Sequence, residues 1–178
     1  MRHQPGLTAN AVATTHAVAL RGVPSGTAPG GTRTGLDRAD AALLALADVA
    51  PASRITLVLP GALDLACALM HLGCTDVATA RLTNWPHAGQ ADVVIVPHVG
   101  SHEVLCRAVA FARRTLAPLG TAVFRLAPGL AADATWQARA QLLAAGFSAV
   151  RQHPDAGATG GASLLRAELP MFGLRQCA

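Results

Sequence analysis

The segment from Arg54 to Gly73 constrains the chain more than any other. Arg54-Ile55-Thr56-Leu57-Val58-Leu59 is a short apolar run rich in β-branched residues, and Pro60-Gly61 ends it. A run of this kind predicts a strand buried on both faces of a parallel sheet. Ala62 to Leu72 follows at once, with Leu65, Leu69 and Leu72 on one helical face and Gly73 where a left-handed C-terminal cap is wanted. Strand, tight turn and helix in direct succession form the unit from which α/β domains are built.

The same alternation continues downstream. Asp76 to Leu82 reads as a second strand, and Ala91 to Val96, the most apolar, as a third and central one. Ser101 can cap a helix in which Leu105, Val109, Ala112 and Leu116 recur, until Pro118-Leu119-Gly120 turns the chain into a fourth strand, Thr121 to Leu126. Asp133 opens a helix through Trp136, Gln137 and Leu143 that Gly146 closes. Phe147–Arg151 and Ala162–Ala167 have no helix between them, only a loop holding Pro154, Gly157, Gly160 and Gly161, so they form an antiparallel hairpin at the sheet edge. Upstream, Asp37 or Asp40 can cap a first helix that runs through Leu46 and stops before Pro51.

A chain of 178 residues with 52% hydrophobic residues can bury one core but not two. The expected organisation is a tail over 1–36, one domain over 37–170 and a short tail over 171–178. Residues 1–36 hold Arg2, Arg21 and Arg33 and no acidic residue, and from Gly22 to Gly35 they are rich in Gly, Pro, Thr and Ser. No apolar run reaches the roughly 20 residues that a bilayer requires, and the expected location is the cytoplasm. The net charge of +4 comes from scattered arginines, with Arg113-Arg114 the only adjacent pair and no lysine, which argues against nucleic acid as a partner. Cys67, Cys74, Cys106 and Cys177 lack zinc spacing and read as small buried or half-buried residues of a reducing compartment; no metal site is expected.

This order of elements resembles the class I S-adenosylmethionine-dependent methyltransferases. Four phrases carry the resemblance: Arg54 to Gly61 as first strand and glycine turn, Asp92 to Val96 as the strand before the reaction site, Arg113 to Phe124 as helix, Leu-x-Pro-x-Gly turn and next strand, and Leu142 to Phe147 as the Leu-x-x-Ala-Gly-Phe before the hairpin. It spans about three quarters of the chain. It implies an α/β three-layer sandwich, a mostly parallel sheet that ends in an antiparallel hairpin. Only nine residues separate Leu82 from Asp92, where the family has a helix and another strand, so one βα unit is missing.

The resemblance also implies a cofactor, S-adenosylmethionine, at the carboxyl edge of the sheet. Its turn is Pro60-Gly61-Ala62-Leu63-Asp64, in which one glycine remains, Leu63 stands where the methionine part would lie, and Asp64 can face the ammonium group. Gly61 equally suits a tight turn without a ligand. Where the family places an acidic residue against the ribose hydroxyls, this chain has Arg81, which suits either a phosphorylated nucleotide such as NADP or an exposed strand end. Trp85, in the shortened loop, can stack on a base or cover the sheet edge. Pro97 and His98 lie at the end of the third strand, and His98 is the first candidate for a general base, with His102 second. The implied activity is methyl transfer to a small molecule at an eroded site. The alternatives are a non-catalytic interaction or scaffolding module, alone or as a homo- or hetero-oligomer through the shortened edge, and a binder of another nucleotide.

Overall fold

The computed structural model describes residues 38–84, 88–130, 134–155 and 162–171. The tail assigned to 1–36, the C-terminal residues beyond Met171, Trp85, Asp133, Cys177 and the glycines of the hairpin loop lie outside these. Within them the order is α1 (Arg38–Ala47), β1 (Arg54–Val58), α2 (Leu63–His71), β2 (Asp76–Ala80), β3 (Ala91–Val99), α3 (His102–Thr115), β4 (Leu116–Leu126), α4 (Ala134–Ala144), β5 (Ser148–Pro154) and β6 (Ser163–Glu168).

The strands form one six-stranded sheet in the order β2-β1-β3-β4-β6-β5. The first four run parallel, and the β5–β6 hairpin joins antiparallel to β4. Alternation along the central strands sends Ile55, Leu57, Val93, Ile95 and Val123 to one face, where Leu43 and Leu44 of α1 and Leu65 and Leu69 of α2 cover them. Val58, Val94, Val96 and Phe124 point to the other face, under Leu105, Val109 and Phe111 of α3 and Leu142 of α4. Helices on both faces of the sheet make the three-layer architecture that the sequence predicts.

Local signals account for the boundaries. Ser101 caps α3, its hydroxyl accepting from the Val104 N–H at 3.2 Å. Gly73 and Gly146 close α2 and α4 with φ of +88° and +87°. β3 runs three residues past the expected Val96, because a register shift against β4 between Val96 and Val99 accommodates Pro97, which has no N–H to give. β4 begins directly at the end of α3 instead of at Thr121. Leu116 pairs with Ala91 and Thr121 with Val93, so the expected turn at Pro118-Leu119-Gly120 is a bulge inside the strand. Gly120 is required there by close packing, since a Cβ would stand 2.9 Å from the Ala117 carbonyl oxygen.

Asp40 does not cap α1. It lies inside the first turn, and its carboxylate accepts from Arg125 Nη1 of β4 at 2.8 Å. Arg125 also meets the buried Asp155 at the end of the hairpin, Nε to Oδ2 3.1 Å. Nε makes no aligned hydrogen bond in this structure, so the contact acts through charge. At the other end of α1, Arg166 Nη1 donates to the Leu46 carbonyl at 3.1 Å. Two arginines from the sheet therefore pin the helix.

The connection between parallel strands β2 and β3 must cross β1, and its described residues hold no helix. Among the described residues of 81–90 there are only turns, and the segment ends against α3, with the Gly89 and Gln90 N–H groups donating to the Arg114 and Thr115 carbonyls. Among the described residues no strand lies outside β2, in agreement with one missing βα unit. No helix among the described residues is long and apolar enough to cross a membrane.

Candidate functional site

The β1 strand ends at Val58, and the chain turns through Leu59-Pro60-Gly61 into α2. Gly61 has φ +85°, a conformation that side chains with a Cβ rarely adopt, and the space above it is open: a Cβ there would meet nothing within 4 Å. No side chain caps the first turn of α2. Beside this turn lies the end of β2, tied to it by the Leu59 N–H donating to the Ala80 carbonyl at 2.8 Å. Adjacent parallel strands thus bring Gly61 and Arg81 together at the carboxyl edge of the sheet, where open α/β sheets hold their ligands.

An open hollow of about 610 Å³ occupies that place, lined by Leu59, Pro60, Gly61, Arg81, Leu82 and Thr83. Its size falls within the range of small-molecule sites. Among the described residues of this lining, Arg81 is the one ionisable side chain. A second hollow of about 330 Å³, lined by Leu82, Thr83, Arg107, Ala110 and Phe111, shares Leu82 and Thr83 with the first. The crossover thus runs between two recesses.

The groove gathers Pro60, Gly61 and Arg81, and the other described candidates, Asp64, Pro97, His98 and His102, are outside its lining. Leu63, expected to fill the methionine space, is 74% exposed and is not part of the lining. Asp64 is exposed on the first turn of α2, and Pro97 is buried in β3. His98 is exposed at the carboxyl end of β3, next to β1, with its ring folded over Gly100: Nε2 is 2.9 Å from where a Cβ on that glycine would stand. His102 faces α4, with its Nε2 3.0 Å from Gln141 Nε2. Of the two histidines, only His98 has its ring at the sheet edge.

Leu82 and Thr83 enter the site although the sequence marked them only as the end of a strand and the start of a loop. Among the described cysteines, Cys74 is buried while Cys67 and Cys106 are exposed, on outward helix positions, which corrects the expectation for those two. Among the described residues no group of three or more His, Cys, Asp or Glu side chains could hold a metal ion. The resolved pKa shifts lie at the opposite edge. Arg54 donates to Asp92 from its backbone N–H and from Nε and Nη2, at 3.0, 3.1 and 2.6 Å. These hydrogen bonds hold the Asp92 carboxyl below the usual aspartate range, and the same pairing raises Arg54. That clamp joins the starts of β1 and β3 and is structural.

No protein-family model matches the chain, and no curated protein matches it in sequence. Solved structures match its fold. An S-adenosylmethionine-dependent methyltransferase from Mesorhizobium loti superposes with a TM-score of 0.57 at 13% identity, over 72% of this chain and 96% of that one. A chain from the complex of the Haloferax volcanii Trm112 methyltransferase activator gives 0.56 at 12% identity, over 76% and 90%. The Burkholderia thailandensis 1,6-didemethyltoxoflavin-N1-methyltransferase, solved with bound 1,6-didemethyltoxoflavin and S-adenosylhomocysteine, gives 0.55 at 12% identity, over 76% and 78%. The chain has a class I methyltransferase-like fold.

Proposed function

We propose that this chain is a methyltransferase-like domain that binds S-adenosylmethionine weakly, in the groove beside Gly61. The observation that carries the reading is the hollow of about 610 Å³ at the carboxyl edge of β1 and β2, opening on a glycine turn with no Cβ in the way. The backbone part of the site suits the cofactor: a positive-φ glycine, an uncapped helix start and a recess of adequate volume. The side-chain part does not. Arg81 stands where a carboxylate would accept the ribose hydroxyls, and each such charge-assisted bond lost costs about 1.5–3 kcal/mol, roughly 10-fold to 150-fold in affinity. A cation also gives nothing back to a sulfonium ion. The lost polar contacts make the binding weak.

On the acceptor side we assign His98. Its exposed imidazole sits at the end of the strand adjacent to β1, and an imidazole takes a proton from a hydroxyl or amine near neutral pH. The open, apolar-rimmed recess favours a small-molecule acceptor over a polymer. A thermal-shift series on the full chain with S-adenosylmethionine, S-adenosylhomocysteine and NADP tests the reading. Stabilisation by the first two supports it.

A second reading rests on the positive charge that Arg81 adds to the lining, which favours a phosphorylated nucleotide such as NADP. Stabilisation by NADP alone would establish it. No shift with any of the three at millimolar concentration would leave a non-catalytic interaction module; that a methyltransferase of this fold has been solved with an activator protein supports a protein partner.

A further inference from the structure

A further recess lies at the amino edge of the sheet, the end away from Gly61. Four segments converge there: the last residues of the β2–β3 crossover, the final turn of α3, the first residues of β4 and the residues that follow β6. They enclose a hollow of about 310 Å³, at the lower end of the range for small-molecule sites. Leu116 and Leu169 form its buried apolar wall, and Pro118 and Met171 its exposed one.

The charge of this hollow has one sign. Arg113 and Arg114 are the ionisable side chains of its described lining. Arg113 is half-buried, and its Nε donates to the Ala145 carbonyl at the end of α4 at 3.1 Å. That bond holds the guanidinium by one side, and its terminal nitrogens make no hydrogen bond among the described residues. Arg114 is exposed next to it. The acids that adjoin the lining have arginines of their own, Asp92 with Arg54 at 2.6 Å and Glu168 with Arg166 at 3.2 Å. The Arg114 and Thr115 carbonyls, which at a bare helix end would repel an anion, accept from the Gly89 and Gln90 N–H groups.

We propose that this hollow binds a small amphipathic carboxylate, a monoanion with a short acyl or aryl body, at the edge of the sheet opposite the cofactor groove. Two neighbouring guanidiniums with no acid in the described lining favour an anionic head, and the flat fork of an arginine matches a carboxylate through two parallel N–H···O bonds. The apolar walls select the body. Leu116, Pro118, Leu169 and Met171 offer an anion no side-chain hydrogen bond but take hydrocarbon out of water, so a head without a body leaves most of the wall unused. The hollow shares no residue with the lining around Gly61 and Arg81, so its ligand is separate from the cofactor.

Calorimetric titration of the full chain with octanoate, below the concentration at which it forms micelles, tests this. Saturable binding is expected, with none for acetate, inorganic phosphate or octylammonium at the same concentration. Arg113→Gln also removes the tie to Ala145, so the diagnostic substitutions are the exposed Arg114→Gln and Met171→Glu. The first removes a donor and the second sets a carboxylate inside the lining; each is expected to weaken octanoate binding about 10-fold or more with an unchanged circular dichroism spectrum. Arg81→Gln, at the other edge, is expected to leave the affinity unchanged. No binding of octanoate, equal binding of acetate, phosphate or octylammonium, or an affinity that either diagnostic substitution leaves unchanged would each overturn the proposal. Co-sedimentation with phosphatidylglycerol vesicles in place of octanoate binding would overturn it in favour of a lipid surface. None of these outcomes depends on cofactor binding.

Discussion

Replacing Asp155 by asparagine tests the account of how α1 is held to the sheet. The Asp155 side chain is 0% exposed and shares the Arg125 guanidinium with Asp40, while Arg125 and Asp40 are 16% and 19% exposed. Removing one partner from a buried pair costs about 3–5 kcal/mol, because the remaining charge stays in a medium of low polarity. Here Asp40 remains at 2.8 Å and its carboxylate still neutralises the Arg125 guanidinium, so the loss falls below that range, about 2–3 kcal/mol. Asp40→Asn takes away a partner that water can partly replace, and about 1–2 kcal/mol is expected. Urea denaturation of the two variants and the wild type gives both differences. For a chain of this size 2–3 kcal/mol lowers Tm by roughly 5–10 °C. A loss under about 1 kcal/mol for Asp155→Asn, or a larger loss for Asp40→Asn than for Asp155→Asn, would refute the reasoning.

Three further outcomes follow from the same structure. Arg81→Asp restores an acceptor at the end of β2 and is expected to tighten S-adenosylmethionine binding about 10-fold or more, read by calorimetry. Asp92→Asn removes the carboxylate that Arg54 holds below the usual aspartate range. A depressed acid stabilises the fold at pH values above its unfolded pKa of about 4, and that contribution disappears as pH falls through the lower folded value. The wild type should therefore exceed the variant at neutral pH and converge with it in strong acid, as followed by urea melts across pH; a pH-independent difference would sink the idea. Gly120→Ala brings a Cβ to 2.9 Å from a backbone oxygen and is expected to cost about 1–3 kcal/mol.

The elements that the sequence reveals are those set by local pattern. Val93 to Val96 reads as a buried central strand because apolar residues continue without alternation, and Gly73 and Gly146 stand where left-handed caps are needed. The hairpin follows from two strands with no helix between them, and the missing unit from a nine-residue gap. What local pattern does not reveal is pairing across distance. Pro97 reads as a stop, yet a register shift lets β3 continue to Val99. Asp40 reads as a cap because its use depends on Arg125, 85 residues away in sequence. Arg125 itself, a charge within Val123-Phe124-Arg125-Leu126, was the available sign of a buried partner.

The candidate site divides along the same line. Pro60, Gly61 and Arg81 were legible because strand ends and glycine turns mark the carboxyl edge of a parallel sheet. The direction of a side chain was not: Leu63 turns to solvent, His102 meets Gln141 on α4, and the His98 ring lies over Gly100. Those contacts depend on helix rotation and on neighbours that spacing alone does not specify.

The central claim is that the groove beside Gly61 holds the cofactor. Calorimetric titration of the full chain with S-adenosylhomocysteine, repeated on Gly61→Arg, tests it most directly, because the substituted side chain enters the space that is open above the turn. The predicted result is saturable binding with a Kd on the order of 0.1–1 mM that the substitution abolishes while the fold, read by circular dichroism, persists. No binding at millimolar concentration, or an affinity that Gly61→Arg leaves unchanged, would contradict it.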